Sequence, residues 1–311
     1  MDILRDQLRD PRKPTLGALI VFAYLRKKLT LPGVGAAAVV GVVHAIHPWN
    51  AFFWLLVVFF GGGVAVTGVN KEHKRRLTTT SSGGSGGESA RGISQVLANS
   101  VFATMMTNHH RTLLAGGMGS MCFQNKIGHS DLVTIGILTH YAAVAADTWS
   151  SELGILSASQ PRLLPSLRPV PPGTNGAVTV GGLLAGFAGA STIAVTGVTL
   201  LPFCPGQWPT SSKAKLALAI STMGLLGSLI DSLLGAYLQA SVVEGGRIVE
   251  GIGGAKVKIA PERSVPGTAG QKPSRSVISG RDVLSNNGVN LAMAGLTSAL
   301  GIAGAALYWS L

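Results

Sequence analysis

The stretch "AAVAADTWSSELG", residues 142–154, carries a run of small apolar residues into a polar cluster of two acids, a threonine and two serines. In a water-soluble protein this is an ordinary end of a helix. In a lipid bilayer a carboxylate at such a position is costly and usually serves a function. The solvent around this stretch therefore decides how it is interpreted.

The composition of the chain indicates lipid. Of its 311 residues, 47% are hydrophobic and 12% are charged, whereas soluble domains carry about 25% charged residues. The mean hydropathy is +0.40. The 42 glycines suit membrane helices, because small residues let helix backbones approach closely. The net charge of +12 comes from basic residues beside apolar segments and not from a nucleic-acid-binding motif, so no nucleic-acid partner is expected.

Apolar windows long enough to cross a bilayer recur about seven times. The third is the weakest, because "MMTNHHRTLL" interrupts it. The sequence predicts an all-α, polytopic transmembrane helix bundle of about six to seven spans. These predicted spans cover residues 31–48, 50–69, 93–116, 132–148, 175–201, 214–238 and 289–310.

Residues 1–30 are predicted to form a cytosolic N-terminal segment with a short amphipathic helix, and residues 31–311 to form the transmembrane domain. If residue 70 faces the cytosol, 21 of the 25 Lys and Arg residues lie on the cytosolic side, as the positive-inside rule requires. The charged N-terminus predicts neither a cleavable signal peptide nor a plastid transit peptide. We therefore expect a multi-pass protein of an endomembrane, such as the endoplasmic reticulum, with its functional loops in the cytosol.

The two cysteines, Cys122 and Cys204, fall on the opposite side in this arrangement. They form neither a metal-binding spacing nor a disulfide framework. Two free thiols are expected, and a disulfide between them is the alternative.

Three loops interrupt the apolar pattern. Residues 78–89 are predicted to form a flexible Gly/Ser-rich loop, and residues 157–173 are predicted to form a proline-rich loop. The cytosolic loop 240–285 contains "GGRIVEGIGGAKVKIA", which alternates about a glycine cluster and predicts a small β-hairpin. The alternative, a phosphate cradle at Gly251, Gly253 and Gly254, lacks the strand-then-helix context.

Acidic side chains mark the fourth and sixth predicted spans. On one helix Asp147 and Ser151 share a face, whereas Glu152 is rotated by roughly 140°. Asp231 lies on a stripe with Ser228, Gly235 and Gln239, and a carboxylate in mid-span costs about 2.5–3.5 kcal/mol. Asp231 must therefore face protein or water. Ion pairing of Asp147 with an arginine, and helix packing at Gly235, are the alternatives to a functional site.

Further polar groups fall at the same helix ends. The last span opens with Asn286, Asn287 and Asn290, close to Asp282, and these groups could hold the oxygens of a metal phosphate. In "PPGTNGAVT", Thr174 or Asn175 is predicted to cap the fifth span, where free backbone amides bind anions; capping alone also explains the motif.

Cations lie on the same side of the predicted bundle. Lys74 and Arg75 belong to a basic run, which by itself marks only topology or contact with anionic lipid. Arg91, Gln95 and Asn99 recur at helical spacing and form a polar stripe that enters the third span. We expect the acids, the amides and these cations to share one site.

Five blocks, "QVLANS", "ADTWSSELG", "VPPGTNGAVT", "GSLIDSLLGAYLQ" and "LSNNGVNL", resemble in their order the integral-membrane family that contains plant phytyl-phosphate kinase and the animal transmembrane protein 19. The resemblance implies a lipid-phosphate kinase that transfers a phosphoryl group from a nucleoside triphosphate to a prenyl monophosphate and gives the diphosphate. The basic loop that the family usually has before "QVLAN" is diluted here by the Gly/Ser insert.

Residue roles are assigned from chemistry alone. Asp147, Asp231 and Arg91 are the predicted catalytic residues, and Asp147, Glu152 and Asp231 are predicted to bind Mg²⁺ on the phosphates of CTP or ATP. No Walker or protein-kinase motif occurs. The predicted substrate-binding residues are Lys74, Arg75, Gln95, Asn99, Ser151, Thr174, Asn175, Gln239, Asn286, Asn287 and Asn290.

A transporter or flippase of a phosphorylated isoprenoid is the rival hypothesis, because intramembrane acids also mark ion pathways. Transport favours broken helices at the midplane, whereas the polar residues here cluster toward one face. That clustering favours an enzyme, and a scaffold without chemistry is the least supported class. The expected partners are an isoprenoid monophosphate and the bilayer, and the sequence names no protein partner.

Overall fold

The computed structural model describes residues 10–79, 90–126, 128–244, 247–250 and 276–310. Within these residues the chain folds mainly into helices. They are α1 (Arg12–Leu25), α2 (Leu31–Ala45), α3 (Asn50–Gly68), α4 (Lys71–Leu77), α5 (Ile93–Ala98), α6 (Val101–Ala115), α7 (His129–Gly154), α8 (Val180–Leu200), α9 (Thr210–Leu238) and α10 (Asn286–Ser310).

Four of the described helices, α3, α8, α9 and α10, are long and apolar enough to cross a membrane. They coincide with four predicted spans, which confirms the predicted helical membrane fold. The helix α2 has 15 residues and is therefore about 22 Å long, short of a bilayer core of about 30 Å. The fourth predicted span corresponds to α7, which is long but less apolar.

The third predicted span, 93–116, is not one helix. It breaks at residues 99–100 into α5 and α6. At the break the Asn99 amide donates to the Gln95 carbonyl at 2.9 Å, and the Ser100 hydroxyl donates to the Val96 carbonyl at 2.7 Å. Such local bonds between side chain and backbone compete with continuation of a helix.

Of the two histidines that weaken the third span, one is buried inside the bundle and the other, His109, is exposed. His110 is fully buried, and its Nδ1 lies 3.0 Å from Nε2 of His47, which is also fully buried. Because the backbone N–H of Trp49 donates to Nδ1 of His47, Nε2 of His47 carries the proton and donates to His110. This hydrogen bond ties α6 to the loop after α2.

The helix α1 packs against α2 and runs antiparallel to it. Its first residue, Arg12, donates to the carbonyl of His47 at 2.6 Å, whereas Lys28 accepts a hydrogen bond from the backbone of Arg91. The two ends of the described part of segment 1–30 therefore lie at opposite ends of α2. The cytosolic location of this segment stays a prediction, and residues 1–9 lie outside the described part.

The helix α7 forms the core of the bundle. It packs against α3, α6, α8, α9 and α10, and residues 133–146 are buried throughout. Glycines on the neighbouring helices allow this contact: a Cβ atom added at Gly186 would lie 3.1 Å from the Ala146 carbonyl oxygen, and one at Gly224 would lie 2.8 Å from that of Ala142. The abundance of glycine thus serves close helix packing, as predicted.

At the end of the bundle where α7 begins and α8 ends, a disulfide joins Cys122 and Cys204, whose Cα atoms are 4.9 Å apart. The expectation of two free thiols was therefore wrong. The loops that carry them pair through Phe123, whose backbone bonds to Pro202 and Cys204. Pairing across 82 residues of sequence depends on the fold and leaves no local pattern.

The described strands are β1 (Thr78–Thr79), β2 (Arg162–Leu163), β3 (Arg168–Pro169), β4 (Ala177–Val178), β5 (Ser241–Glu244), β6 (Arg247–Glu250) and β7 (Ser276–Ser279). They form a four-stranded sheet in the order β1-β6-β5-β7 and a three-stranded sheet in the order β3-β2-β4. The proline-rich loop thus supplies two short strands.

The predicted hairpin lies elsewhere than expected. Its strands β5 and β6 are antiparallel and flank residues 245–246, while the glycine cluster at 251–254 lies outside the described residues. The predicted structureless loop 78–89 begins with β1, which pairs with β6. The remainder of that loop, residues 80–89, also lies outside the described part.

Candidate functional site

Two acids meet where α7 and α9 lie side by side. The helices run in parallel, and a Cβ atom added at Gly227 of α9 would lie 2.5 Å from Cβ of Ala143 on α7. Residues four positions further along a helix lie on the same face, so Asp147 and Asp231 face each other. Their carboxyl groups are close enough to share a hydrogen bond, and both side chains are half-buried.

This pair has the chemistry of a cation site. Two carboxylates at hydrogen-bonding distance cannot both stay ionised unless a cation lies between them; without a cation, they share a proton. Carboxylate oxygens are the ligands that Mg²⁺ prefers in proteins, so Asp147 and Asp231 fit the predicted metal. Within the described ranges, no three His, Cys, Asp or Glu side chains converge on a common point.

The two acids line a cavity of about 150 Å³ at one end of the bundle. Its walls are α7, α9 and the first residue of α10, and the loop between α7 and α8 covers it. The other lining residues with polar side chains or flexible backbone are Ser150, Ser151, Gly154, Gly173, Thr174, Asn175, Gly176, Thr179, Ser228, Ser232, Gln239 and Asn286.

Carboxamide groups surround Asp231. With its amide nitrogen turned toward Asp231, Asn290 donates to Oδ1 of that residue at 3.3 Å and to the Asn286 carbonyl at 2.9 Å. Gln239 donates to Oδ1 of Asn286 at 3.4 Å. Asn287 points elsewhere, because its amide donates to Ser94 of α5 at 3.1 Å. Of these four side chains, Gln239, Asn286 and Asn290 therefore gather at the acid pair, and Asn287 does not.

Asp282, just before α10, has both carboxylate oxygens buried without a hydrogen-bond partner in the described part of the chain. It does not line the cavity of the acid pair.

The sequence predicted that the residues of the covering loop begin α8, but they precede that helix. Gly176 of the loop has φ +77° and packs so closely on α9 that an added Cβ would lie 2.5 Å from the Ala236 nitrogen. The chain then forms β4, and α8 starts only at Val180, where the Thr179 hydroxyl accepts from the Gly182 amide at 3.0 Å. Thr179 is therefore the cap.

Thr174 and Asn175 hold the covering loop in place instead of capping a helix. The Thr174 hydroxyl donates to the Pro171 carbonyl at 2.7 Å, and the Asn175 backbone donates to the Ser241 hydroxyl at 2.9 Å. Both residues still line the cavity.

Glu152 is not a third member of the acid pair. Since α7 continues to Gly154, Glu152 lies on another face of the helix, and it forms an ion pair of 2.6 Å with Lys74. Lys74 also donates to the carbonyls of Val66 and Thr67 at the end of α3. Neither residue lines the cavity of the acid pair, and the roles of Glu152 as a metal ligand and Lys74 as a substrate-binding residue stay predictions.

Arg91 lies beside the residue that follows Asp147. A Cβ atom added at Gly63 would lie 3.7 Å from a guanidinium nitrogen of Arg91 and 3.8 Å from the methyl group of Thr148. The guanidinium donates to the Thr67 hydroxyl at 3.2 Å. The side chain of Arg75 lies outside the described side chains.

Residues 14–298 match the family described as "Integral membrane protein DUF92". The chain belongs to the DUF92 family. This result confirms the predicted family. No solved structure is similar to this DUF92 chain.

Among its relatives, Protein PGR of Arabidopsis thaliana is 41% identical over 216 residues, 66% of each chain. An uncharacterised membrane protein of Methanocaldococcus jannaschii is 40% identical over 105 residues, 34% of this chain and 40% of the relative. Protein VTE6, chloroplastic, of Arabidopsis thaliana is 30% identical over 110 residues, 35% of this chain and 30% of the relative. Each alignment covers less than two thirds of the relative's length.

Sequence reasoning missed several cavity residues of the DUF92 chain. Ser150 and Ser232 line the cavity. Their positions next to Ser151 and Asp231, two predicted site residues, could have identified them. Gly235 was left open between a ligand site and helix packing. An added Cβ there would lie 2.8 Å from Oε1 of Gln239 and 3.3 Å from the Gly176 nitrogen, so this glycine serves packing.

Proposed function

We propose that this protein is a membrane-embedded prenyl-phosphate kinase, which transfers a phosphoryl group from a nucleoside triphosphate to an isoprenoid monophosphate. The observation that carries the proposal is the contact between Asp147 and Asp231 in a polar cavity at one end of an apolar helix bundle. The resemblance to the family of plant phytyl-phosphate kinase supports the reaction class, and the 30% identity to VTE6 is consistent with it.

In this proposal Asp147 and Asp231 hold Mg²⁺, which when bound offsets the negative charge of the donor phosphates. The donor is CTP or ATP. Asn290 orients the carboxylate of Asp231 and donates to the Asn286 carbonyl, and Gln239 holds the side chain of Asn286 in turn. Hydroxyl groups of Ser150 and the neighbouring serines that line the cavity can donate hydrogen bonds to phosphate oxygens.

The acceptor is itself a phosphate and is ionised at neutral pH, so the site does not need a strong general base. Arg91 neutralises part of the acceptor charge, since its guanidinium matches the geometry of phosphate oxygens. The protein's contribution is then positioning and electrostatic stabilisation, as is general for phosphoryl transfer. The cavity at the helix ends provides positions for the nucleotide while the apolar bundle lies beside it.

We propose further that the cavity end of the bundle faces the cytosol. The cavity end of α7 and α9 is the end at which the predicted cytosolic segments 70–92, 149–174 and 239–288 converge, and nucleoside triphosphates are supplied from the cytosol. An endomembrane such as the endoplasmic reticulum, with this end facing the cytosol, fits the distribution of basic residues.

The test is an assay of purified protein in detergent with Mg²⁺, radiolabelled CTP or ATP, and phytyl, geranylgeranyl or farnesyl monophosphate. Label is expected in a diphosphate lipid, and Asp147→Asn and Asp231→Asn are expected to abolish its appearance. Asp131→Asn is the matched control, because Asp131 is a buried acid on the same helix, about 24 Å from Asp147 at 1.5 Å per residue.

The control variant should keep its label transfer. Movement of a prenyl phosphate across vesicle membranes without label transfer would instead establish the transporter or flippase.

A further inference from the structure

A second cavity lies between α1, α2, α3 and α5. It measures about 100 Å³, and its walls are apolar over most of their length. Representative lining residues are Leu19 of α1, Val34 and Ala37 of α2, and Phe60 of α3. Its apolar walls suit a segment of a hydrocarbon chain, and its volume is too small for a nucleotide.

The polar residues of this cavity gather at one end, where Arg91, Gln95, Asn99 and Ser100 line it. Among the described residues that line the cavity, only Arg91 is charged. Its side chain is half-buried, and in the described structure it has a hydrogen bond to the Thr67 hydroxyl but no ion pair with a carboxylate. A guanidinium with unused donors at the end of an apolar cavity is suited to an anionic group that ends a lipid chain.

The polar end of the second cavity adjoins the acid pair. Asn99 lines the cavity, and the side-chain amide of Asn290 approaches its Oδ1 to 3.4 Å. With its amide turned the other way, the same Asn290 side chain donates to Asp231, so this one residue lies between Asn99 and the acid pair. An anionic group held at Arg91 is therefore one layer of side chains away from the site proposed for the donor phosphates.

We infer that the apolar cavity between α1, α2, α3 and α5 receives the segment of the hydrocarbon chain next to the phosphate of an isoprenoid monophosphate, with the phosphate at Arg91. The inference rests on the proposed function for the identity of the lipid. The helix α1 closes the cavity on one side, since Leu16 packs directly on Gly41 of α2. A single chain fits this enclosure better than the two acyl chains of a phospholipid.

The first test is photolabelling, which needs no phosphoryl transfer. The protein in phosphatidylcholine nanodiscs is irradiated with a farnesyl monophosphate that carries a diazirine in its chain, with Mg²⁺ and without nucleotide. Labelled peptides are expected from α1, α2 and α3, and geranylgeranyl monophosphate is expected to compete. Equal competition by phosphatidic acid, which shares the phosphate but has two acyl chains, would overturn the inference.

A second apolar groove provides an internal comparison. It is lined by Trp208, Ala219 and Tyr308 at the disulfide end of the bundle. Label concentrated there, instead of on α1 to α3, would also overturn the inference.

Paired variants test the cavity by its volume. Ala37→Phe fills the cavity between α1 and α3, and Ala219→Phe places the same side chain in the other groove. We expect Ala37→Phe to lower photolabelling about tenfold, the effect of overpacking by about 1.4 kcal/mol, and Ala219→Phe to leave it unchanged. Equal labelling of both variants would contradict the inference, and photolabelling of the unmodified protein decides the matter if Ala37→Phe does not fold.

The two hypotheses fail separately. Specific labelling of the cavity without any phosphoryl transfer would refute the kinase and keep the isoprenoid site. Phosphoryl transfer with labelling elsewhere would refute the isoprenoid site and keep the kinase.

Discussion

Replacing Gly224 with alanine is expected to force α9 away from the two helices it contacts. The added Cβ would lie 2.6 Å from Cβ of Ala190 on α8 and 2.8 Å from the carbonyl oxygen of Ala142 on α7. Ordinary contacts begin at 3.4 Å, so the helices must separate by about 0.8 Å and 0.6 Å if the distances are relieved directly. Backbone and Cβ atoms cannot rotate away as a long side chain can.

Overpacking of this kind costs about 1–3 kcal/mol. Alanine also favours a helix over glycine by about 1 kcal/mol, and this gain partly hides the clash. Gly61→Ala on α3 is the matched control, because an added Cβ there meets nothing within 4 Å. The free energy of unfolding of the Gly224 variant should therefore fall below that of the control by about 1–3 kcal/mol.

Both purified variants are unfolded in the same detergent. Stability is measured by denaturant titration and by the temperature at which the monodisperse peak in size-exclusion chromatography is lost. Asp231 lies two turns beyond Gly224, so the displaced helix should also weaken stabilisation by Mg²⁺. Equal stability of the Gly224 and Gly61 variants would show that α7 and α9 do not pack as described, and the contact between the two acids would then lose its structural basis.

Three further predictions concern individual contacts. Cys122→Ser removes the disulfide and should lower stability by about 4 kcal/mol for a loop of this length; reductant should have the same effect on the unmodified protein and none on the variant. Lys74→Met leaves Glu152 without its partner and should cost about 1–3 kcal/mol in thermal or denaturant unfolding, whereas Glu152→Gln should cost less. Asp147→Asn removes one of two facing charges, so its stability in EDTA should rise while its stabilisation by Mg²⁺ disappears; a retained Mg²⁺ response would contradict the role given to Asp147 and Asp231.

The contact between the two acids could be foreseen because it follows from helical spacing and alternation of the spans. Asp147 and Asp231 lie near the same ends of two helices that cross the bundle in the same direction, so threading alone brings them to one side. The polar stripe through Ser228 and Gln239 correctly predicted which face of α9 lines the cavity. Periodicity did not identify Ala143 and Gly227 as the contact that sets the two helices in register, because small residues are frequent along the whole chain.

The errors share a physical origin. Lys74 and Glu152 are 78 residues apart, and the cysteines are 82 apart, so neither pairing leaves a local signal. The break at Asn99 depends on side-chain bonds to the backbone that compete with the helix. Thr174 looked like a helix cap because the pairing of β4 with β2, which delays α8, involves residues from a loop with no strand pattern of its own.

The position of the acids along their helices bears on the choice between kinase and transporter. A substrate site for alternating access lies near the midplane, whereas Asp147 and Asp231 lie roughly 8–10 Å beyond the midpoints of α7 and α9 at 1.5 Å per residue. At those midpoints Ala142 and Gly224 are in close contact and buried. Passage of a phosphate between these helices would require that contact to open, which close packing opposes. Access from one face is sufficient for phosphoryl transfer, so the closed midpoint favours catalysis at the cavity end.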